Sequence, residues 1–113
     1  MEKYESVYEA QGCSIIEKYF KTKKPVVIAF SSPTCGACEI YKPEFDYAKE
    51  QFPEIEFVWF NIASCPEAAF HLGIPGTPTT IVVDNGVIKG AWVGAVPADN
   101  VGEAVKNIME EKE

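Results

Sequence analysis

Apolar positions along this chain change their spacing from one segment to the next, and each change predicts a new element. Between residues 9 and 21 they recur every three or four residues, which is typical of an amphipathic helix. A short strand near Tyr4–Tyr8 is expected to precede this helix. Pro25 then opens the continuous apolar run Val26–Phe30, which is rich in β-branched residues and predicts a strand covered on both faces.

The remaining pattern predicts strands and helices that alternate first and end in a hairpin and a helix. In order, the predicted elements are a helix over 36–51 that Pro43 should kink, a strand over Glu56–Ile62, a short helix over Glu67–Leu72, strands over Thr79–Val83 and Val87–Val93, and a helix over 98–110. Asp84-Asn85-Gly86 between the last two strands is the strongest hairpin signal in the chain.

Length and charge narrow the class of protein. A chain of 113 residues with 47% hydrophobic residues predicts one folded domain over 1–113. The net charge is -7 and there is no arginine, which argues against nucleic acid as a partner. The chain shows neither a secretory signal nor an apolar run of membrane-spanning length. We therefore expect a cytoplasmic protein that does not bind membranes.

Two cysteines separated by two residues stand where a buried strand is expected to pass into a helix, in the segment Cys35-Gly36-Ala37-Cys38. The first turn of a helix has unpaired N–H groups and the positive end of the helix dipole, and both stabilise a thiolate. We therefore expect Cys35 to be the more acidic, attacking thiol. Cys38 can close a small disulfide ring with it and is the expected resolving thiol.

The other two cysteines and the single histidine are considered next, and packing is the expected role of most of them. Without a secretory signal, four cysteines favour redox chemistry in a reducing compartment, which leaves Cys13 and Cys65 as single thiols. Cys65 directly precedes Pro66 at a predicted helix start, so it is either a buried packing residue or a second reactive thiol. His71 is expected to be a structural imidazole rather than a catalytic base.

Two alternatives to a redox dithiol stay open at this stage. The four cysteines could form a structural zinc site, although Cys13 and Cys65 lack the paired spacing of zinc ligands. The chain could also be a binding or scaffold module that keeps a residual dithiol.

The order of elements around the two cysteines resembles the thioredoxin fold over essentially the whole chain. The matching features are Pro43 five residues after the second cysteine, Gly76-Thr77-Pro78-Thr79 in place of the family's cis-proline loop, and Val93-Gly94-Ala95 in place of its glycine-containing loop. The resemblance implies an α/β fold with a central mixed sheet of four to five strands flanked by about four helices. It also implies a substrate groove across Cys35, formed by Thr34, Thr77, cis-Pro78 and Gly94.

The resemblance also implies the activity and the partners. By similarity the chain is a thiol–disulfide oxidoreductase that reduces protein disulfides through a reversible Cys35–Cys38 pair, with Gly36 and Ala37 inside the redox motif. No bound cofactor or metal is expected. Electrons would come from a flavin-dependent enzyme similar to thioredoxin reductase, or from another thiol donor. The family commonly works as a monomer, and we expect the same here.

The chain departs from the family pattern beside and beneath the motif. Ser31 and Thr34 stand where the family usually has tryptophans, which makes the expected contact surface less aromatic. Ala29 and Trp59 stand where it has a buried aspartate and a lysine neighbour. Losing both at once looks compensated, because a lone buried charge is costly. Deprotonation of Cys38 would then rely on other groups, and we expect slower resolution of mixed disulfides.

Within the motif, Ala37 replaces the family's proline and restores a backbone N–H. This predicts one more donor for the Cys35 thiolate and a more stable reduced form. The expected reduction potential is therefore somewhat less reducing than the thioredoxin value of about -270 mV.

Overall fold

The computed structural model describes residues 14–111, which form a four-stranded mixed sheet with helices on both faces. The elements are α1 (Ser14–Lys21), β1 (Val26–Ser31), α2 (Gly36–Gln51), β2 (Glu56–Asn61), a 3-10 turn (Ile62–Ser64), α3 (Pro66–His71), β3 (Thr79–Asp84), β4 (Val87–Val93) and α4 (Ala98–Glu111). From β1 onward these bounds agree with the sequence predictions to within one residue. The predicted strand near Tyr4–Tyr8, the first part of the first helix and Cys13 lie outside the described residues.

The sheet has the order β2-β1-β3-β4, and β1 lies inside it. It pairs with β2 in parallel and with β3 antiparallel, while β3 and β4 form the predicted hairpin. All six residues of Val26–Ser31 are buried, as its continuous apolar run predicted. Asn85 and Gly86 both have positive φ, at 56° and 80°, which suits the two-residue turn that joins twisted antiparallel strands.

Each face of the sheet packs against its own pair of helices. On one face, α1 and α3 cover alternate residues of the central strands, including Ile28, Phe30 and Ile81. On the other face, α2 and α4 cover the intervening residues, including Val27, Ala29 and Val82. This alternation follows from the two-residue period of strands, and it places the beginning of α2 just beyond the carboxyl end of β1.

Across residues 14–111, none of the helices combines the length and the apolar character needed to cross a membrane.

Candidate active site

Cys35 and Cys38 form a disulfide at the beginning of α2, with their Cα atoms 5.2 Å apart. Cys35 is the N-cap residue, and its sulfur accepts a hydrogen bond from the backbone N–H of Cys38 at 3.0 Å. Cys35 is partly exposed, whereas Cys38 is only 4% exposed. A disulfide-bearing partner can therefore reach the first sulfur more readily than the second.

The hydrogen bond at the N-cap of α2 does not involve the N–H of Ala37. We expected the restored N–H of Ala37 to serve Cys35, but the amide that donates to the Cys35 sulfur is that of Cys38. This donor is present whichever residue occupies position 37. The predicted effect of Ala37 on the reduction potential therefore stays a prediction and finds no support in this contact.

The loop before β3 forms the wall opposite Cys35. The Thr77–Pro78 peptide bond is cis, as the family resemblance implied, and the Thr77 carbonyl oxygen lies 3.5 Å from the Cys35 sulfur. In the disulfide that sulfur has no proton, so this is a contact; in the dithiol, the Cys35 S–H can donate to the same oxygen. The Thr77 hydroxyl also lies 3.2 Å from the hydroxyl of Ser32, a residue that sequence reasoning did not assign to the site.

Gly94 lies at the third side of the site. Its N–H donates to the Pro78 carbonyl at 2.8 Å, and its φ of 98° lies in the region that favours glycine. The structure thus brings Cys35, Thr77, Pro78 and Gly94 together, and their role in substrate binding stays a prediction. Thr34 is exposed directly before Cys35.

A shallow groove of about 200 Å³ lies beside the glycine loop, and sequence reasoning did not identify it. It is lined by Ile40, Glu44, Ala95, Val96 and Pro97. Ile40 is 68% exposed, so an apolar side chain faces solvent two residues beyond Cys38. The Glu44 carboxylate accepts a hydrogen bond from the Ala98 N–H at 2.8 Å and so connects α2 to the first residue of α4.

Beneath the disulfide, the pairing confirms that Ala29 and Trp59 are neighbours. They are register partners in β1 and β2, and Ala29 is also the partner of Thr80 in β3. Ala29 belongs to the same packed layer as several aromatic rings, and the centroids of Tyr41 and Trp59 are 5.9 Å apart. Burial raises the pKa of Tyr41, and its hydrogen bonds with Thr80 and Trp92 partly offset that rise.

The prediction that Cys65 is a single thiol is wrong. Cys65 is fully buried and is disulfide-bonded, and its partner is neither Cys35 nor Cys38. A missing secretory signal favours redox chemistry at the CxxC motif, but it does not exclude a disulfide at a buried cysteine elsewhere in the chain. Since Cys65 is fully buried, this structure gives no support to a reactive second thiol there.

The remaining sequence candidates lie outside the dithiol site or outside the described residues. His71 ends α3, and its ring packs edge-on against Phe70 at 5.9 Å. Between residues 14 and 111, no group of three or more histidine, cysteine or acidic side chains is arranged to hold a metal ion. Cys13, the fourth member of the hypothetical zinc site, is not among these residues.

A cysteine pair at a helix N-terminus, opposite a cis-proline on a mixed sheet, defines the class of thiol–disulfide oxidoreductases. Comparison with known proteins agrees with that class. The family model called Thioredoxin matches residues 10–107. The chain therefore belongs to the thioredoxin family, and it is a thiol–disulfide oxidoreductase.

Relatives of the chain include bacterial and plant thioredoxins. A thioredoxin from Mycoplasma genitalium is 31% identical over 101 residues, which cover 89% of this chain and 99% of the relative. A chloroplastic M-type thioredoxin from Pisum sativum is 34% identical over 89 residues, which cover 78% of this chain and 52% of the relative. The crystal structure of thioredoxin from Trypanosoma brucei brucei superposes with a TM-score of 0.79 at 18% identity, covering 86% of this chain and 85% of the other, and supports the fold.

Proposed function

We propose that this chain reduces disulfides in protein substrates, with Cys35 as the attacking sulfur and Cys38 as the resolving sulfur. The observation that carries the proposal is the unequal exposure of the two cysteines at the beginning of α2. Cys35 is partly exposed, and its sulfur accepts a hydrogen bond from the N–H of Cys38, whereas Cys38 is buried. The helix N-terminus favours negative charge on Cys35, which is the form that attacks.

The proposed reaction has two displacement steps. The Cys35 thiolate attacks one sulfur of the substrate disulfide, and the other substrate sulfur leaves with the electron pair and takes up a proton. Cys38 then loses its proton and attacks the Cys35 sulfur, which breaks the mixed disulfide and releases the second substrate sulfur. The substrate gains two electrons, and the Cys35–Cys38 dithiol becomes the disulfide.

Substrate would lie along the wall formed by Thr77, cis-Pro78 and Gly94. The backbone of Thr77 can pair with an extended peptide as an added strand would, and Pro78 has no N–H to compete for it. The small hydroxyl residues Ser32 and Thr34 leave this side of the groove polar. The exposed Ile40 beside the shallow groove offers an apolar contact on the other side.

The proposal extends to partners and location. A flavin-dependent enzyme similar to thioredoxin reductase, or another thiol donor, would reduce the disulfide again. We further propose a monomer that acts in the cytoplasm without a bound cofactor, as a single domain over 1–113. The cytoplasmic location takes its support from similarity to the Mycoplasma genitalium thioredoxin.

Trapping the mixed disulfide tests the assignment of the two sulfurs. The variant Cys38→Ser should accumulate a covalent adduct with a disulfide protein such as insulin, because nothing displaces the substrate from Cys35. The matched variant Cys35→Ser should form little or none. Peptide mass analysis locates the bond. Adducts that form equally in both variants, or through Cys38 alone, would contradict the assignment.

A further inference from the structure

A hydrogen-bonded pair of buried hydroxyls lies between α2 and the sheet, and neither step of the proposed reaction uses it. The Tyr41 hydroxyl lies 2.8 Å from the Thr80 hydroxyl, and both residues are fully buried. The indole N–H of Trp92 donates to the Tyr41 oxygen at 3.2 Å. These three side chains form a continuous chain of polar atoms in the otherwise apolar layer between α2 and the sheet.

Two features of the fold place this pair on the face of the sheet that the buried side of α2 covers, the side on which Cys38 lies. Tyr41 follows Cys38 by three residues on the buried face of α2, about one helical turn or 5 Å along the axis. Thr80 follows Pro78 by two residues, and side chains two apart along an extended chain point to the same face. The pair therefore lies in the layer under α2, about one helical turn from Cys38 along the helix and two residues from cis-Pro78 along the chain.

One of the two hydroxyl protons of Tyr41 and Thr80 has no acceptor among the hydrogen bonds of residues 14–111. Tyr41 and Thr80 each carry one O–H, and the bond between them uses only one of the two protons. Trp92 supplies a further donor and accepts nothing. Among the hydrogen bonds of residues 14–111, none gives the second hydroxyl proton an acceptor. A buried donor in this state is costly, and it gains most when an anionic acceptor appears beside it.

We propose that the Tyr41–Thr80 pair, held in place by Trp92, donates its spare hydrogen bond to the Cys38 sulfur as that sulfur loses its proton. The proposal rests on the proposed role of Cys38 as the resolving sulfur. The Cys38 proton leaves to solvent, and the new Cys35–Cys38 bond forms as the bond to the substrate sulfur breaks. Both hydroxyls keep their protons throughout, so Tyr41 and Thr80 are positioning residues that stabilise the developing negative charge.

The charged groups around Cys38 do not supply this stabilisation. On α2, Glu39 is exposed and carries the wrong sign, and the Glu44 carboxylate caps α4. The Lys42 ammonium is bound to Asp46 at 2.7 Å. On the sheet, Asp84 lies at the opposite end of β3 from the disulfide. A neutral hydroxyl donor is therefore the group that the packed layer offers to Cys38.

The two steps can be separated by stopped flow. The reduced chain is mixed with an equimolar amount of Ellman's reagent, an aromatic disulfide, and the release of its coloured thiolate is followed. Attack by Cys35 releases the first coloured thiolate, and resolution by Cys38 releases the second, in a phase that Cys38→Ser lacks. We compare Tyr41→Phe, Thr80→Val and the double variant with the parent chain across pH. Tyr47→Phe is the matched control, since Tyr47 is 55% exposed on the same helix.

Losing the donated bond should move the pH midpoint of the second phase upward by about one unit in the double variant. At neutral pH the second phase should slow about threefold. A higher pKa leaves a smaller fraction of Cys38 as thiolate, and the greater nucleophilicity of that thiolate offsets part of the loss. The single variant that lacks the donating hydroxyl should show most of the shift, which keeps the test decisive if the double variant does not fold. The first phase and the Tyr47→Phe control should keep their midpoints.

Two results would overturn the proposal. One is a second-phase midpoint that stays in place in both single variants and in the double variant. The other is slowing of both phases with no change in midpoint, which would assign the pair to packing alone. If the parent chain shows no second phase at all, the failure lies instead with the proposed role of Cys38, so the two failures are distinguishable.

Discussion

Position 29, where the family usually has a buried aspartate, carries only a methyl group. Ala29 is fully buried, between its register partners Trp59 and Thr80. The Trp59 ring packs 5.5 Å from that of Phe45, on the layer that also holds Tyr41. The two departures from the family pattern, at positions 29 and 59, thus belong to one aromatic layer. A larger residue at position 29 would have to fit into this packed layer, and a charged one would be buried in it.

Restoring the family's aspartate alone should therefore be harmful. We expect Ala29→Asp to lower the free energy of unfolding at pH 7 by about 3 kcal/mol, because a carboxylate would be buried without a partner. Adding Trp59→Lys to that variant should restore about 1 kcal/mol or more of the lost free energy of unfolding, because the buried carboxylate then has a charged partner. Urea unfolding measures both changes. If Ala29→Asp is tolerated alone, or the second change recovers nothing, the view of a compensated pair fails.

Tyr41 gives the folded chain a sensitivity to alkaline pH. Burial raises its pKa above the ordinary value of 10.0 in the folded state. From about pH 10 upward, the unfolded chain releases this proton while the folded chain retains it, so the free energy of unfolding falls as pH rises. Below that range both states hold the proton, and the contribution of Tyr41 is complete.

Substituting Tyr41 should reduce this sensitivity. The free energy of unfolding of the parent should fall more steeply between pH 10 and 11 than that of Tyr41→Phe, by at most about 1.4 kcal/mol per pH unit. Urea titrations at a series of pH values give the two slopes, with Tyr47→Phe as control. Equal slopes in Tyr41→Phe and the parent would show that Tyr41 ionises alike in the folded and unfolded chains.

At the scale of elements, the α2–α4 contact fixes the loop that carries Gly94. Glu44, in the middle of α2, accepts the N–H of Ala98 at the first residue of α4. A carboxylate at this point satisfies an N–H that the helix leaves unpaired and also suits the positive end of its dipole. The loop over 94–97 is thus held between β4 and this cap, next to the shallow groove.

Removing the cap tests this view. Glu44→Ala should lower the free energy of unfolding by about 1 kcal/mol, and Glu44→Gln, which keeps an acceptor oxygen, by less. Because the loop borders the proposed substrate wall, Glu44→Ala should also raise KM for a protein disulfide more than it lowers kcat. Urea unfolding and insulin reduction measure the two effects. Identical stability in all three chains would show that the contact contributes nothing.

The elements were predictable because each has a strong local signal. The apolar run of β1, the turn residues Asn85 and Gly86, and the helical spacing of α2 all depend on neighbours in sequence, and their predicted bounds agree with the structure. The cysteine pair and the cis-proline were also marked by local motifs. The aromatic layer that includes Trp59 and Tyr41 was not predicted; the sequence showed only that Ala29 and Trp59 replace the family's charged pair.

What the sequence did not reveal depends on contacts between distant segments. The hydrogen bonds from Tyr41 to Thr80 and from Trp92 to Tyr41 join residues 39 and 51 positions apart, and no spacing along the chain marks them. The Glu44–Ala98 cap, 54 positions apart, is of the same kind. Cys65 was misjudged for another reason, since cysteine count and compartment do not determine which sulfurs pack together.

At the scale of the whole molecule, the chain combines a strongly acidic charge with a small, mostly uncharged site. Its net charge is -7, yet the groove around Cys35 is formed by hydroxyl, proline and glycine residues. Such a charge favours solubility and disfavours anionic partners at long range. Recognition close to the disulfide would then depend on backbone pairing and on the apolar side chain of Ile40.

The most direct test is a redox titration of the Cys35–Cys38 pair in graded thiol buffers, with alkylation read at each cysteine by peptide mass. We predict one two-electron transition in which both cysteines change together, with a midpoint near or somewhat above about -270 mV. Cys38→Ser should abolish the intramolecular disulfide and leave Cys35 able to form only a mixed disulfide with the buffer thiol, which peptide mass distinguishes. If Cys35 and Cys38 remain alkylated across the whole range, or change independently, the chain has no reversible dithiol and the account is wrong.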